Sequence, residues 1–345
     1  MHMKKPITVA VVGLGRAGWS IHINKIKDRD DFRVVDVADP DSGRRQEAVD
    51  ELGCGAHPDI DVLLAETDAE LVIVATPNLN HEADAARVLE SGRHCILEKP
   101  MAMNHAGALR LIELSKKTGR HLFVHHQRRF GPEFLFLREI IDSGILGNVF
   151  EIQLCWGGFA RRNDWQTLRK NGGGVLNNTG PHIVDLATNL IDAPAVSMLS
   201  DMQHIKDAGD TDDHVHFFMK NAKGQNVDLM VTTCLALPKP RTVLMGSCGT
   251  LMAHDDKKAK LRYFDPSKVE PLEVVEGAAP GRKYGNEDVL PWQEEERDMV
   301  PSQPAEEFYD NVGAVLAEGA PLVVTPESAA EVIRIIEWAR EGERT

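Results

Sequence analysis

Between Ile7 and about Val124 the chain alternates short apolar runs with longer amphipathic stretches; ITVAVVG, FRVVDVAD, LVIVATP, HCILEKP and HLFVHH are the runs. Continuous runs rich in β-branched residues suit strands buried on both faces, and intervals of roughly 10 to 20 residues suit crossover helices. The pattern predicts a doubly wound parallel sheet.

The grammar changes after RRFGPEFLFLREIIDSGILGNV, which reads as a helix ended by Gly144. VFEIQLCW, HVHFFMK, NVDLMVTTCLAL and TVLMGSCGTLMAH read as successive strands, and only residues 174–191 interrupt them with helical spacing. A mostly antiparallel open sheet with helices on one face is expected. PAEEFYDNVGAVLAEG and TPESAAEVIRIIEWAREG read as two closing helices, the second with Gly342 past its end. The acidic segment from about Glu270 to Pro304 is expected to be a long loop, with Trp292 to Asp298 a solvated acidic face. The division expected is a parallel-sheet domain over residues 1–126 and an α+β domain over 127–345, whose last helices pack back on the first.

Composition narrows the class. With 345 residues, 42% hydrophobic and 27% charged, the chain can bury two ordinary globular cores. A net charge of −14 argues against nucleic acid and anionic membranes as partners. No apolar run is long enough to span a bilayer, and the start MHMKKPITVAVVGLG lacks the cleavage site of a signal peptide. The five cysteines are odd in number and form no CxxC pair, so reduced thiols in a cytoplasmic protein are expected.

The candidate chemistry begins at GLGRAG. Gly13, Gly15 and Gly18, with Leu14, Arg16 and Ala17 between them, follow a strand and open a helix pattern, and Asp39 closes the next strand. Glycines allow a tight turn and close approach of backbone N–H groups to a pyrophosphate, while an aspartate at that distance accepts from a ribose 2′-hydroxyl. This favours NAD, although Arg44 and Arg45 stand near enough to accommodate the 2′-phosphate of NADP. ATPNLNH, with Thr76, Pro77, Asn78 and His81, and LEKP, with Glu98, Lys99 and Pro100, follow strand ends, where open α/β sheets bind ligands. Lys99 is thereby aimed into the crevice.

These residues, together with VADPD, EKPMA, QRRFGP and GGGVLNNTGPHIVDL in that order, give a chain that resembles the glucose-fructose oxidoreductase, inositol dehydrogenase and MocA-like family of NAD(P)-dependent oxidoreductases. The resemblance implies an N-terminal Rossmann domain, a C-terminal α+β domain, and hydride transfer at a carbon of a sugar, cyclitol or related polyol. It implies that Lys99 and His182 are the active-site lysine and histidine. Gln127 falls where the family places a polar residue near the nicotinamide, and Trp165 in RRNDW lies in a loop able to contact substrate. At one position the chain departs from the family: Asn178 stands where an aspartate usually precedes the histidine by four residues.

On one helix, Asn178 and Asp185 would both flank His182, so Asp185 could supply the charge that Asn178 lacks. The expected roles are Lys99 polarising the reacting oxygen, His182 exchanging its proton, and Asn178 positioning substrate or imidazole. His214 and His216 share a strand face behind Asp212 and Asp213, but further ligands are not identifiable and no metal is expected. Two other functions remain open: an enzyme that retains NAD and uses transient oxidation for elimination or glycoside cleavage, and a non-catalytic dinucleotide-binding sensor. An open sheet with an apolar outer face would be buried by self-association, so a homodimer or homotetramer is expected.

Overall fold

In the first half, the apolar runs become strands because both of their faces are covered. The computed structural model describes residues 5–342 apart from 207, 273, 275, 276, 278–287, 304 and 305. β1 (Ile7–Val12), β2 (Phe32–Ala38), β3 (Gly55–His57), β4 (Leu71–Val74), β5 (His94–Leu97) and β6 (Leu122–Val124) form one parallel sheet in the order β3-β2-β1-β4-β5-β6. All four residues of β4 are buried, as a central parallel strand requires. β3 was not anticipated, because GAH carries no apolar run and exposes two of its three residues.

The crossovers are a π-helical stretch (Ala17–Ile23) running into α1 (Asn24–Ile26), then α2 (Ser42–Leu52), α3 (Ile60–Glu66), α4 (His81–Glu90) and α5 (His105–Thr118). Asp41, Asp59 and Asn104 cap the starts of α2, α3 and α5 with side-chain oxygens. α6 (Pro132–Asp142) leads into the second half.

There, β7 (Val149–Gly157), β8 (Ala195–Gln203), β9 (His214–Asn221), β10 (Asn226–Thr232), β11 (Thr242–Gly246), β12 (Gly249–Ala253), β13 (Lys258–Tyr263) and β14 (Gln293–Asp298) form an eight-stranded sheet in the order β14-β13-β12-β11-β7-β10-β9-β8. Only β7 and β10 run parallel. TVLMGSCGTLMAH is a hairpin, β11 turning into β12, rather than one strand.

Two expectations are corrected. The acidic stretch 293–298 is β14, an edge strand whose glutamates meet the basic residues of β13: Lys258 pairs with Glu296 at 2.8 Å, and Arg262 with Glu294 at 3.3 Å. Cross-strand charge complementarity makes a strand where no apolar alternation announces one. Most of the expected loop from 273 to 287 lies outside the described residues. Residues 174–191 are two helices, α7 (Val175–Asn178) and α8 (Gly180–Leu190), broken at Thr179 ahead of Pro181.

α8 buries Ile183, Val184, Leu186, Ala187 and Leu190 on the inner face of the second sheet. α9 (Phe308–Glu318) and α10 (Pro326–Glu341) return to the first core with Phe308, Tyr309, Val312, Ala329 and Ile333. Val332, Ile335, Ile336 and Ala339 of α10 belong to the second core, so this helix joins the two.

Candidate active site

The glycine loop after β1 is shaped by close backbone packing. Gly13 has φ +92°, and a Cβ there would lie 2.6 Å from the Ala75 carbonyl oxygen; a Cβ on Gly18 would lie 1.8 Å from that of Gly13. At Gly15 a Cβ would meet nothing within 4 Å, so this backbone faces open space, as a cradle for a phosphate group must. Asp39 Oδ2 accepts from Leu14 N at 2.7 Å and ties the loop to the end of β2. Arg44 Nη1 lies 3.6 Å from Asp39 Oδ2, whereas Arg45 folds back onto the carbonyls of Asp39 and Pro40. Of the two arginines, Arg44 alone stands at the Asp39 carboxylate.

The strand-end loops converge on the same edge. Asn78 Nδ2 donates to the Gly172 carbonyl at 3.2 Å, which links the first loop to the GGG segment. Thr76 Oγ1 donates to Asp84 at 2.8 Å. His81, expected at the cofactor, is buried with Nδ1 2.7 Å from the Pro100 carbonyl and Nε2 2.8 Å from that of Thr76. It fastens two loops together and offers no nitrogen to a ligand. Glu98, likewise expected there, points inward, where its Oε1 accepts from His22 Nε2 at 3.0 Å and His125 Nδ1 at 2.7 Å.

Lys99 leaves this turn through a cis peptide bond to Pro100, and its Nζ donates to the backbone carbonyl of Asn178 at 3.0 Å. Burial lowers its pKa; the Glu98 carboxylate opposes that shift, and the Arg16 and Arg128 guanidiniums add to it. His182 is held well below the ordinary histidine value by burial first, then by Lys99, His126 and Arg128. Its Nδ1 is buried with no partner among the described residues, as is Gln127 Oε1. Buried polar atoms of this kind call for a ligand. Gln127 thus has an acceptor for an amide such as that of nicotinamide, and the residues present fit the dinucleotide.

Asp185 does not partner His182. Its carboxylate takes two hydrogen bonds from Arg129 Nε, at 2.9 and 3.0 Å, and Arg129 Nη1 reaches Ser328 Oγ at 2.8 Å. A bidentate guanidinium outcompetes a distant imidazole for a buried carboxylate. The helix break at Thr179 also removes the single stripe on which Asn178, His182 and Asp185 would have lain. Asn178 Oδ1 instead accepts from Gln166 Nε2 at 3.3 Å, and Gln166 in turn accepts from Arg162. Trp165 lies on this same loop, with 43% of its surface exposed.

Sequence reading passed over Arg128, whose guanidinium stacks 4.5 Å above the Trp156 ring and contributes to the potential at both Lys99 and His182. His216 pairs with Asp228, Asp213 binds the backbone of Ile205 and Lys206, and Asp212 that of Leu176, so the four residues from Asp212 to His216 weighed as ligands do not converge. Among the described residues, the group of three able to hold a metal is His22, Glu98 and His125. Their atoms stand at hydrogen-bond distances of 2.7 and 3.0 Å, shorter than the ~3.3 Å between two ligands of a tetrahedral metal site.

Residues 7–126 match the model of the oxidoreductase family with an NAD-binding Rossmann fold, and residues 134–252 match the GFO/IDH/MocA C-terminal domain. A scyllo-inositol 2-dehydrogenase (NADP+) of Bacillus subtilis (strain 168) is 24% identical over 350 residues, covering 98% of this chain and 94% of its own. A D-glucoside 3-dehydrogenase of Escherichia coli (strain K12) is 27% identical over 205 residues, 56% of this chain and 57% of its own. The crystal structure of an NAD-binding protein from Listeria innocua superposes with a TM-score of 0.84 at 25% identity, covering 99% of this chain and 95% of that one. With the glycine cradle, the Asp39 anchor and the Lys99–His182 crevice in place, the chain belongs to the glucose-fructose oxidoreductase, inositol dehydrogenase and MocA family and is an NAD-binding oxidoreductase.

Proposed function

We propose that this protein transfers hydride between a nicotinamide and a hydroxyl-bearing carbon of a sugar, sugar derivative or cyclitol. The observation that carries the reading is the Lys99 amine, fixed at 3.0 Å on the Asn178 carbonyl and near His182, whose buried Nδ1 has no partner among the described residues. The bound dinucleotide supplies the hydride donor or acceptor. Gly13 to Gly18 hold its pyrophosphate, Asp39 its ribose hydroxyls and Gln127 its carboxamide. Asp39 favours NAD, and Arg44 gives a 2′-phosphate a partner, so NADP binds more weakly without being shut out.

Loss of hydride from an alcohol carbon requires the hydroxyl proton to leave as well. A proton on His182 would sit close to the Lys99 ammonium and the Arg128 guanidinium, with Glu98 the one carboxylate opposing it. His182 is therefore held neutral, and Lys99 is the group left to carry the transferred proton. In reduction Lys99 delivers it to the developing alkoxide; in oxidation the Lys99 amine collects it. His182, neutral, holds the reacting oxygen in line. This reverses the partition expected from sequence, in which His182 exchanged the proton. Asn178, with Oδ1 on Gln166, turns its amide nitrogen to substrate, and the Trp165 ring covers one sugar face.

A second copy of the chain covers the outer face of the eight-stranded sheet. Leu199 and Phe218 stand opposite one another there, 74% and 42% exposed, and Met252 lies further along, 40% exposed. Apolar area of this kind on an open sheet is removed from water by self-association. Light scattering on a sizing column reads this directly: wild type elutes as a dimer or tetramer, and Leu199→Glu shifts it toward monomer.

The function is tested by following the reduced-nicotinamide absorbance during a screen of inositols, aldoses and aldonates, with NAD and NADP in parallel. Turnover of one polyol class supports the reading. Tight NADH binding without turnover on any of them would contradict it and favour a sensor.

A further inference from the structure

Beneath Lys99, four side chains from four separate elements meet in the interior: His22 on the π-helical stretch, Glu98 at the end of β5, His125 after β6, and Tyr309 on α9. His22 is 0%, Glu98 4%, His125 3% and Tyr309 3% exposed. Glu98 Oε1 takes both imidazole N–H groups, Glu98 Oε2 accepts from the Lys99 backbone N at 3.1 Å, and Tyr309 OH donates to His22 Nδ1 at 2.6 Å. The two imidazole rings lie 4.5 Å apart, and Phe308 packs edge-on against His125. The proposed hydride transfer uses none of these four groups directly.

Placing a carboxylate in such an interior costs several kcal/mol unless donors replace its water. Burial opposes the charge of Glu98, yet His125 and His22 outweigh burial and hold its carboxyl well below the usual range. His22, lowered chiefly by burial, keeps Nε2–H for Glu98 and turns Nδ1 to the tyrosine. The result is a permanent negative charge one residue from the catalytic lysine, bonded to that lysine's own backbone.

We propose that His22, His125 and Tyr309 are positioning residues that act through Glu98, which serves as the built-in counter-charge and turn anchor of the Lys99 amine. The proposal rests on the reading of Lys99 as the proton-handling group. The charged or titratable groups that face Lys99 are Glu98, Arg16, Arg128, His81, His126 and His182, and of these Glu98 alone is anionic. Without it, no carboxylate among these groups opposes loss of the Lys99 proton, and only the Asn178 carbonyl is left to hold it.

The test measures the Lys99 amine itself: the pH dependence of its trace acetylation by acetic anhydride, read by mass spectrometry against the exposed Lys25, in the full-length protein. Glu98→Gln lowers the Lys99 midpoint by about one unit. His125→Phe lowers it part of the way, and His125→Asn, which puts an amide N–H near the place of Nδ1, restores the wild-type value. A merely structural role predicts the same midpoint in every variant that still melts cooperatively, and that result overturns the proposal. If Glu98→Gln does not fold, the His125 pair and Tyr309→Phe decide by the same criterion. NADH binding, followed by tryptophan fluorescence in each variant, keeps the two readings apart. Its absence from wild type would sink the dehydrogenase reading, while an unmoved midpoint with binding intact sinks only this one.

Discussion

Lys99 Nζ donates to the main-chain carbonyl of Asn178, not to its side chain. The amine proposed to handle the proton is thereby seated on the end of α7, by a main-chain bond that any residue at 178 would provide. The family's aspartate can be replaced here without unseating the lysine. What the replacement removes is a negative charge four residues before His182.

Restoring that charge tests the point. Asn178→Asp leaves the lysine in place and puts a carboxylate at the end of α7, four residues before His182, where its charge should raise the histidine pKa. The acid limb of the pH–rate profile should move to higher pH by about one unit, with the NADH dissociation constant unchanged. An unmoved limb would show that position 178 does not act on His182.

The proposed reading puts cofactor choice at Asp39. Asp39→Ala removes both the ribose acceptor and the bond to Leu14 N, a charged hydrogen bond worth ~1.5 to 3 kcal/mol, so NADH affinity should fall about tenfold or more. NADPH should lose much less. Arg44→Ala has the opposite pattern, weakening NADPH more than NADH. Fluorescence titration of each variant with both nucleotides gives the four constants.

The Arg129–Asp185 pair joins the end of β6 to α8, and through Ser328 to α10. Removing one partner leaves an unpaired buried charge. Arg129→Leu should destabilise the protein by about 3 to 5 kcal/mol in denaturant unfolding. A loss below about 1 kcal/mol would mean that Asp185 is free to serve another group, His182 included.

Acid stability follows from His126, which burial lowers to about 4. Between that value and the unfolded value near 6.5, the unfolded chain binds the extra proton, so stability rises with pH across this window and falls as pH drops through it. The full cost, about 3 kcal/mol, is felt below pH 4. His126→Gln should flatten the decline in melting temperature between pH 6.5 and 4, and an equal decline in the variant would contradict the assignment.

How much of this was legible in the chain depended on distance along it. Gly13, Gly15 and Gly18 with Asp39, or Lys99 beside Pro100, are local patterns whose meaning comes from the strand before them. The parallel sheet was equally readable, since β1, β4 and β5 are continuous apolar runs. Asp185 was misassigned because its partner Arg129 lies 56 residues away and because Thr179 breaks the helix that periodicity joined. No spacing rule links Tyr309 to His22, which lie 287 residues apart. β14 escaped notice because its strand character comes from lysines and arginines on β13 rather than from its own residues.

The central claim, that Lys99 handles the proton in hydride transfer, is tested most directly by Lys99→Met. The substitution keeps the volume and removes the amine. The account predicts NADH binding within about threefold of wild type and turnover lower by about 10² to 10⁴, the usual contribution of a general acid or base. Turnover within tenfold of wild type, with the nucleotide still bound, would contradict it and return the proton to His182.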